Sequence, residues 1–194
     1  MRVIAGKARR LILKSTPGFD TRPTLDKIKE TLFNILQPDI PGSSFLDLFS
    51  GSGGIGIEAL SRGASYCVFV ENSQKALKCI RDNLEHTHLT DNAVVLGKNV
   101  LSAINELALR KCSFDIVYLD PPYKAGYEEE TLKALAISGI IRPDTQVILE
   151  TDISNRLEFL EHSDYQVTRE KLYKTNKHCF LALKGKAVSE EVSG

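Results

Sequence analysis

Five short apolar runs, "SFLDLFS", "SYCVFVE", "AVVLG", "FDIVYLD" and "TQVILE", alternate with four segments of helical period, "GIGIEALSRG", "SQKALKCIRDNLEHT", "VLSAINELALR" and "EEETLKALAISG". A strand, a helix and a second strand of the same sheet are joined by a right-handed crossover. The alternation therefore restricts the chain to a mostly parallel sheet with helices on both faces. The helical segments are one-sided: Ala76, Leu77, Ile80 and Leu84 recur on one flank of the second. Ahead of the alternation, "TLDKIKETLFNIL" sets Leu25, Ile28, Leu32, Phe33, Ile35 and Leu36 near one stripe, with Thr24 as N-cap and Asp26 in the first turn. After it, "YQVTREKLYKT" and "HCFLALKG" predict a closing hairpin that forms an antiparallel edge. The expected fold is thus α/β and Rossmann-like: seven strands, mostly parallel, with helices on both faces. One domain is expected over 1–184. It includes a basic arm and short hairpin ("VIAG" with "RLILKS") at 1–23, and a polar, disordered tail follows at 185–194.

The chain has 194 residues, 42% of them hydrophobic, enough for one sizeable core. Its 25 basic and 25 acidic side chains cancel, so net charge selects no partner. Their distribution is more informative. Residues 1–30 hold eight basic side chains against three acids, a basic arm on a mildly acidic body. That arrangement suits a polyanion. No signal-peptide h-region opens the chain, and no apolar run approaches the roughly 20 residues that span a bilayer. Cys67, Cys79, Cys112 and Cys179 are scattered, and His86 and His88 lack a third ligand nearby. We therefore expect a reduced, cytoplasmic protein with no membrane segment and no metal.

"DLFSGSGGIG" joins the first sheet strand to the first crossover helix. Gly51, Gly53 and Gly56 satisfy G-x-G-x-x-G, and Glu71 ends the next strand. This pattern serves a nucleotide-type ligand: a tight turn, close backbone approach and a carboxylate for ribose hydroxyls. Asp47 just before the glycines would be unfavourable beside a pyrophosphate but favourable beside an ammonium and a sulfonium. That favours S-adenosylmethionine over NAD. Asn99, after the third strand, suits either the edge of an adenine ring or the cap of the following helix.

"LDPPY" places Asp120, Pro121, Pro122 and Tyr123 on the same rim as the glycine loop. A nucleobase amine is a poor nucleophile because its lone pair is delocalised into the ring. Two acceptors around the NH2 favour a pyramidal nitrogen aimed at a methyl donor. Asp120 supplies one and the Pro121 carbonyl the other, while the two prolines stiffen the elbow. Tyr123 suits stacking on the flat base.

"LDPPY" matches the [N/D]-P-P-[Y/F] motif of nucleobase amino-methyltransferases, and "LDLFSGSGGIGIEALSRGA" resembles their S-adenosylmethionine loop. "MRVIAGKARRLIL" followed by "TRPTLDKIKETLFNIL" resembles the start of the RsmD family, bacterial 16S ribosomal RNA guanine-N2 methyltransferases. The resemblance covers residues 1 to about 184. It implies an S-adenosylmethionine-dependent methyltransferase fold, with S-adenosylhomocysteine as product. It places Asp47, Gly51 and Gly53 at the methionine part of the cofactor, with Phe49 and Asn72 alongside. Glu71 falls at ribose, Asn99 on the adenine side (where many methyltransferases have aspartate), and Asp120 to Tyr123 at the target amine. It further implies, as substrate, a guanine in small-subunit ribosomal RNA, free or in a partly assembled ribonucleoprotein particle. Arg2, Lys7, Arg9, Arg10 and Arg22, with Pro23 and Thr24, would hold the RNA, and the protein would act as a monomer. Three alternatives stay open at this point: a DNA adenine-N6 or cytosine-N4 methyltransferase, a non-catalytic RNA-binding assembly factor, and an NAD oxidoreductase.

Overall fold

A parallel strand covered on both faces is buried on both, and the central strands are. All five residues of β1 (Ser44–Leu48) and all four of β4 (Ile116–Leu119) are buried. The computed structural model describes residues 1–15, 23–122 and 126–185, with the backbone alone at 23–25. Arg22, Tyr123 and residues 186–194 of the expected tail lie outside the described residues, as do the side chains of Pro23 and Thr24.

The elements follow in the expected order. They are α1 (Pro23–Leu36), β1, α2 (Gly54–Ser61), β2 (Tyr66–Glu71), α3 (Gln74–Thr87), β3 (Ala93–Gly97), α4 (Val100–Leu109), β4, α5 (Tyr127–Ser138), β5 (Gln146–Asp152), β6 (Tyr165–Leu172) and β7 (Asn176–Leu183). The sheet order is β3-β2-β1-β4-β5-β7-β6. The first five strands are mutually parallel, and β7 runs antiparallel to both β5 and β6. The chain winds outward from β1 in two directions, which makes the β1–β4 junction the switch point where ligands bind in such sheets.

Side chains alternate between two apolar cores. Leu46, Leu48, Val117, Leu119 and Leu149 pack with α4 and α5 on one face. Phe45, Phe69, Ile116, Tyr118 and Ile148 pack with α1, α2 and α3 on the other. Val3, Ala8 and Leu13 of the N-terminal segment are buried in that second core. The expected hairpin is present in reduced form: Arg2 bridges Ile12, Val3 N donates to Leu11 O, and Leu13 N donates to Met1 O. Gly6 is required there. At φ +81° its Cα lies so close to α2 that a Cβ would fall 1.8 Å from the Ser61 carbonyl oxygen.

One local expectation is corrected. α1 begins at Pro23, so Thr24 is inside the helix rather than its cap. Proline suits the first helical position, where its missing N–H has no partner to lose. No described helix is long and apolar enough to cross a membrane.

Candidate functional site

β1 and β4 pair with Asp47 level with Tyr118. Asp120 follows two residues on from Tyr118, so pleat alternation puts Asp47 and Asp120 on the same face at the carboxyl end of the sheet. Asp47 is 1% exposed. Its carboxylate accepts one hydrogen bond, from Gly56 N at 3.0 Å. Burial pushes its pKa up to about 7; the Gly56 bond opposes the rise and the nearby charge of Glu71 adds to it.

The glycine loop is held open from three sides. Phe49, Gly51 and Gly53 all have positive φ, at 64°, 54° and 81°, which lifts the backbone over the strand end. The Ser50 hydroxyl donates to Asp47 O and accepts from Val70 N, tying the loop to β2. Glu71 Oε2 accepts from Gly51 N at 2.9 Å, while Oε1 accepts from Asn72 N and Ser73 N. The two lone-pair sites of Oε1 are thus taken, and Oε2 keeps one for a ligand hydroxyl. The buried Asn83 amide donates to Ser52 O and Lys14 O, and its Oδ1 accepts from Lys14 N. One side chain of α3 thus fastens the glycine loop and the end of the N-terminal arm together. Asn99 caps α4, accepting from Ser102 N at 2.9 Å. Of its two sequence-level roles the cap is realised, and its amide N–H groups stay available on the exposed side.

Asp120 directly follows β4 and is in contact with solvent, and the elbow turns from buried Pro121 to exposed Pro122. The Asp120 carboxyl is pushed well above the ordinary carboxylate range by the surrounding protein and then by the charges of Glu150 and Asp47. The open surface of the residue works against that rise, since water reaching a carboxylate favours its charged form. The Glu150 charge reaches Asp120 only through the β4–β5 pairing, which "LDPPY" itself does not signal. Where the elbow re-enters α5, the Tyr127 ring lies 6.2 Å from that of Phe49.

Glu150 was missed, although its signal matches that of Asp120: an apolar run, "VILE", ending in an acid. The β4–β5 ladder pairs Leu119 with Leu149, so Asp120 and Glu150 are the next residues on each strand. Behind Glu150 is a buried polar group. Tyr118 OH and His178 Nε2 both contact Oε2, the latter at 2.9 Å, and the Asn176 amide donates to Oε1. The Tyr173 hydroxyl lies 3.1 Å from His178 Nδ1. Burial pushes the Glu150 pKa up, but His178, Tyr118 and Asn176 outweigh burial and hold it below the ordinary value.

The basic arm forms a second region on the same face. Arg2, Arg9 and Arg10, with Lys27, Asp26 and Glu30, line a cavity of about 450 Å³ that none of the glycine-loop or Asp120 residues borders. Lys7, Arg9 and Arg10 are exposed, and Arg2 is partly neutralised by Asp26 at 3.4 Å. The backbone beneath is anchored by fully buried Glu58, which accepts from Ile4 N, Ala5 N and Arg62 Nε and lies 3.3 Å from Lys29 Nζ. Lys29 in turn donates to Arg2 O at 2.7 Å. Glu58, Lys29, Arg62 and Asn83 sit inside ordinary helical periodicity, which gives no cue to a tertiary partner.

Comparison with known proteins agrees with this geometry. The family model described as Conserved hypothetical protein 95 matches residues 1–182. "Putative rRNA methyltransferase YlbH" of Bacillus subtilis is 46% identical over 135 residues, 70% of this chain and 71% of that protein. "Ribosomal RNA small subunit methyltransferase D" of Escherichia coli is 34% identical over 174 residues, 89% of this chain and 84% of that one. Among solved structures, "Putative methyltransferase yhhF from Escherichia coli" superposes with a TM-score of 0.79 at 31% identity, covering 95% of this chain and 98% of that one.

Proposed function

We infer the activity from one premise: this chain belongs to the RsmD family, whose model is described as Conserved hypothetical protein 95. It is a methyltransferase of ribosomal RNA. We propose that it moves a methyl group from S-adenosylmethionine to the N2 amine of a guanine in small-subunit ribosomal RNA, as a cytoplasmic monomer that needs no metal. The observation that carries this reading is the pair Asp47 and Asp120, on one face of adjacent strands, with the glycine loop following Asp47 and bonded to it through Gly56.

The residues suit the cofactor. Asp47 is a buried carboxylate with a single hydrogen bond, an unfavourable state that a ligand ammonium relieves. Glu71, with remaining acceptor capacity at the end of β2, would hold the ribose hydroxyls, and the Asn99 amide would meet the adenine edge. Phe49 and the exposed Asn72 flank this path. The bound sulfonium supplies an activated methyl group, so no covalent enzyme intermediate is required.

Asp120 and the Pro121 carbonyl accept the two N2–H bonds and aim the nitrogen lone pair. Attack makes N2 cationic, and its proton then passes to Asp120 Oδ. The raised proton affinity of Asp120 serves that second event. Tyr123, outside the described residues, would stack on the base. Arg2, Lys7, Arg9, Arg10 and Arg22, with Pro23 and Thr24, would hold the flanking RNA. Glu58 and Asn83 fasten the segment that carries Arg2, Lys7, Arg9 and Arg10 to α2 and α3.

The test is methyl transfer from labelled cofactor to small-subunit ribosomal RNA, alone and in particles, taken from cells lacking the protein. Duplex DNA serves as the comparison. Digestion should release N2-methylguanosine from one position. Label in DNA adenine or cytosine, or cofactor binding without transfer to any RNA, would overturn the reading.

A further inference from the structure

Glu150 carries an inference that rests on the guanine-N2 reading and goes beyond it. A carboxylate offers about four lone-pair sites. On Glu150 the interior occupies three: Tyr118 and His178 on Oε2, and Asn176 on Oε1. One site on Oε1 remains. The side chain is 14% exposed, so the otherwise buried group reaches solvent. The β4–β5 ladder sets the two carboxylates side by side on one face. A structural carboxylate has no need of that position, since it places a second negative charge beside Asp120.

We propose that Glu150 is the specificity residue that selects guanine, accepting the base's N1–H on its remaining Oε1 site while Asp120 holds the adjacent N2 amine. Guanine differs from the other amine-bearing bases in this respect. Its N1, next to C2, carries a hydrogen. The ring nitrogen beside the amine is a bare lone pair in adenine (N1) and cytosine (N3), and would face the carboxylate in repulsion. The hydrogen bonds from Tyr118, His178 and Asn176 fix the side chain and keep it ionised, which a carboxylate needs if it is to accept and never donate. A site built to pair a particular N–H rejects an analogue that lacks it far more strongly than a shape-based pocket does.

The test uses the RNA substrate with its target guanosine replaced by 2-aminopurine riboside, which keeps the C2 amine and has a lone pair at N1. Single-turnover methylation is measured on both RNAs. Wild-type protein should favour guanine by roughly 10²-fold or more. Glu150→Gln can present an N–H to the 2-aminopurine N1, while Asn176, whose buried Oδ1 has no partner, turns its amide to accept from the new glutamine. Relative to wild type, the guanine preference should fall at least about tenfold. Wild-type rates within threefold of each other, or a Glu150→Gln variant that slows both substrates equally, would overturn the proposal and leave guanine-N2 transfer standing. Failure of wild-type protein to methylate guanine at N2 would instead remove the reading beneath it. If Glu150→Gln does not fold, Glu150→Asp, which keeps the charge and draws the carboxylate back by one carbon, should show the same fall in guanine preference, and an unchanged preference there would overturn the proposal.

Discussion

Glu58 on α2 and Asp47 on β1 are equally buried, at 0% and 1% exposure. Their circumstances are opposite. Glu58 accepts from two backbone N–H groups and one guanidinium and has an ammonium beside it. Asp47 accepts from one backbone N–H and has a pKa near 7. A buried charge is tolerated when its hydrogen bonds are complete. Glu58 therefore reads as structure, the clamp that seats the basic arm. Asp47 reads as a site whose partner is a ligand. Glu150 lies between them, almost satisfied, with one acceptor position left at the rim. The number of partners, rather than the depth of burial, separates the carboxylates that fold this protein from those that act.

The comparison breaks first at Asp120. Asp120→Ala should lower single-turnover rates on the RNA substrate by roughly 10²- to 10⁴-fold. Asp120→Asn should lower them less, because an acceptor oxygen survives, and cofactor affinity should hold in both. Near-normal turnover in a folded alanine variant would mean that this carboxylate merely ends a strand.

Glu58→Ala probes the opposite pole. Removing one partner leaves Lys29 buried without its anion and frees Ile4 N and Ala5 N, so unfolding by denaturant should show a loss of about 3–5 kcal/mol. A loss under about 1 kcal/mol would place Glu58 in the same class as Asp47.

Glu71→Ala should weaken cofactor binding by about 1.5–3 kcal/mol, read by calorimetry, with RNA binding little changed. An unaltered affinity would leave Glu71 as a fastener of Gly51 and nothing more.

Asp47 predicts a pH dependence with a definite sign. Its proton affinity in the free protein is raised to about 7, and only the ionised form attracts an ammonium. Cofactor affinity should therefore fall as pH drops through 7, toward tenfold per unit, and binding near pH 6 should release a proton. Asp47→Asn should flatten that slope. The same shift makes the ligand-free fold lose stability as pH rises from about 4 to 7, since the native state retains a proton that the unfolded chain gives up. An Asp47→Asn variant whose stability has the same pH dependence over that window would contradict the assignment.

The smallest effect is expected at the arm's surface. Arg9→Ala with Arg10→Ala should leave cofactor affinity intact and make RNA binding less sensitive to salt, by about 0.7 in log–log slope for each phosphate that is no longer neutralised. An unchanged slope would remove those two side chains from the RNA interface.

The strand–helix alternation, the glycine loop and the "LDPPY" rim were legible from sequence because each is local. A period of two or 3.6, a left-handed turn at glycine and a proline elbow are written in adjacent residues. Asp47 and Asp120 could be placed on one rim because crossover handedness brings the carboxyl ends of parallel strands together. The Glu58 clamp was not legible, since its partners at Ile4, Ala5 and Lys29 lie 54, 53 and 29 positions away, and helical periodicity says nothing about which tertiary group a side chain meets. The state of the charges was hidden for the same reason. Glu150 stands beside Asp120 only because β5 pairs with β4, and it stays ionised only because β7 inserts antiparallel beside β5 and brings Asn176 and His178 to it. Local chemistry set which residues could serve such a site. Solvation and pairing, which exist only once the sheet has closed, decided which of those carboxylates were completed and which were left with capacity for a ligand.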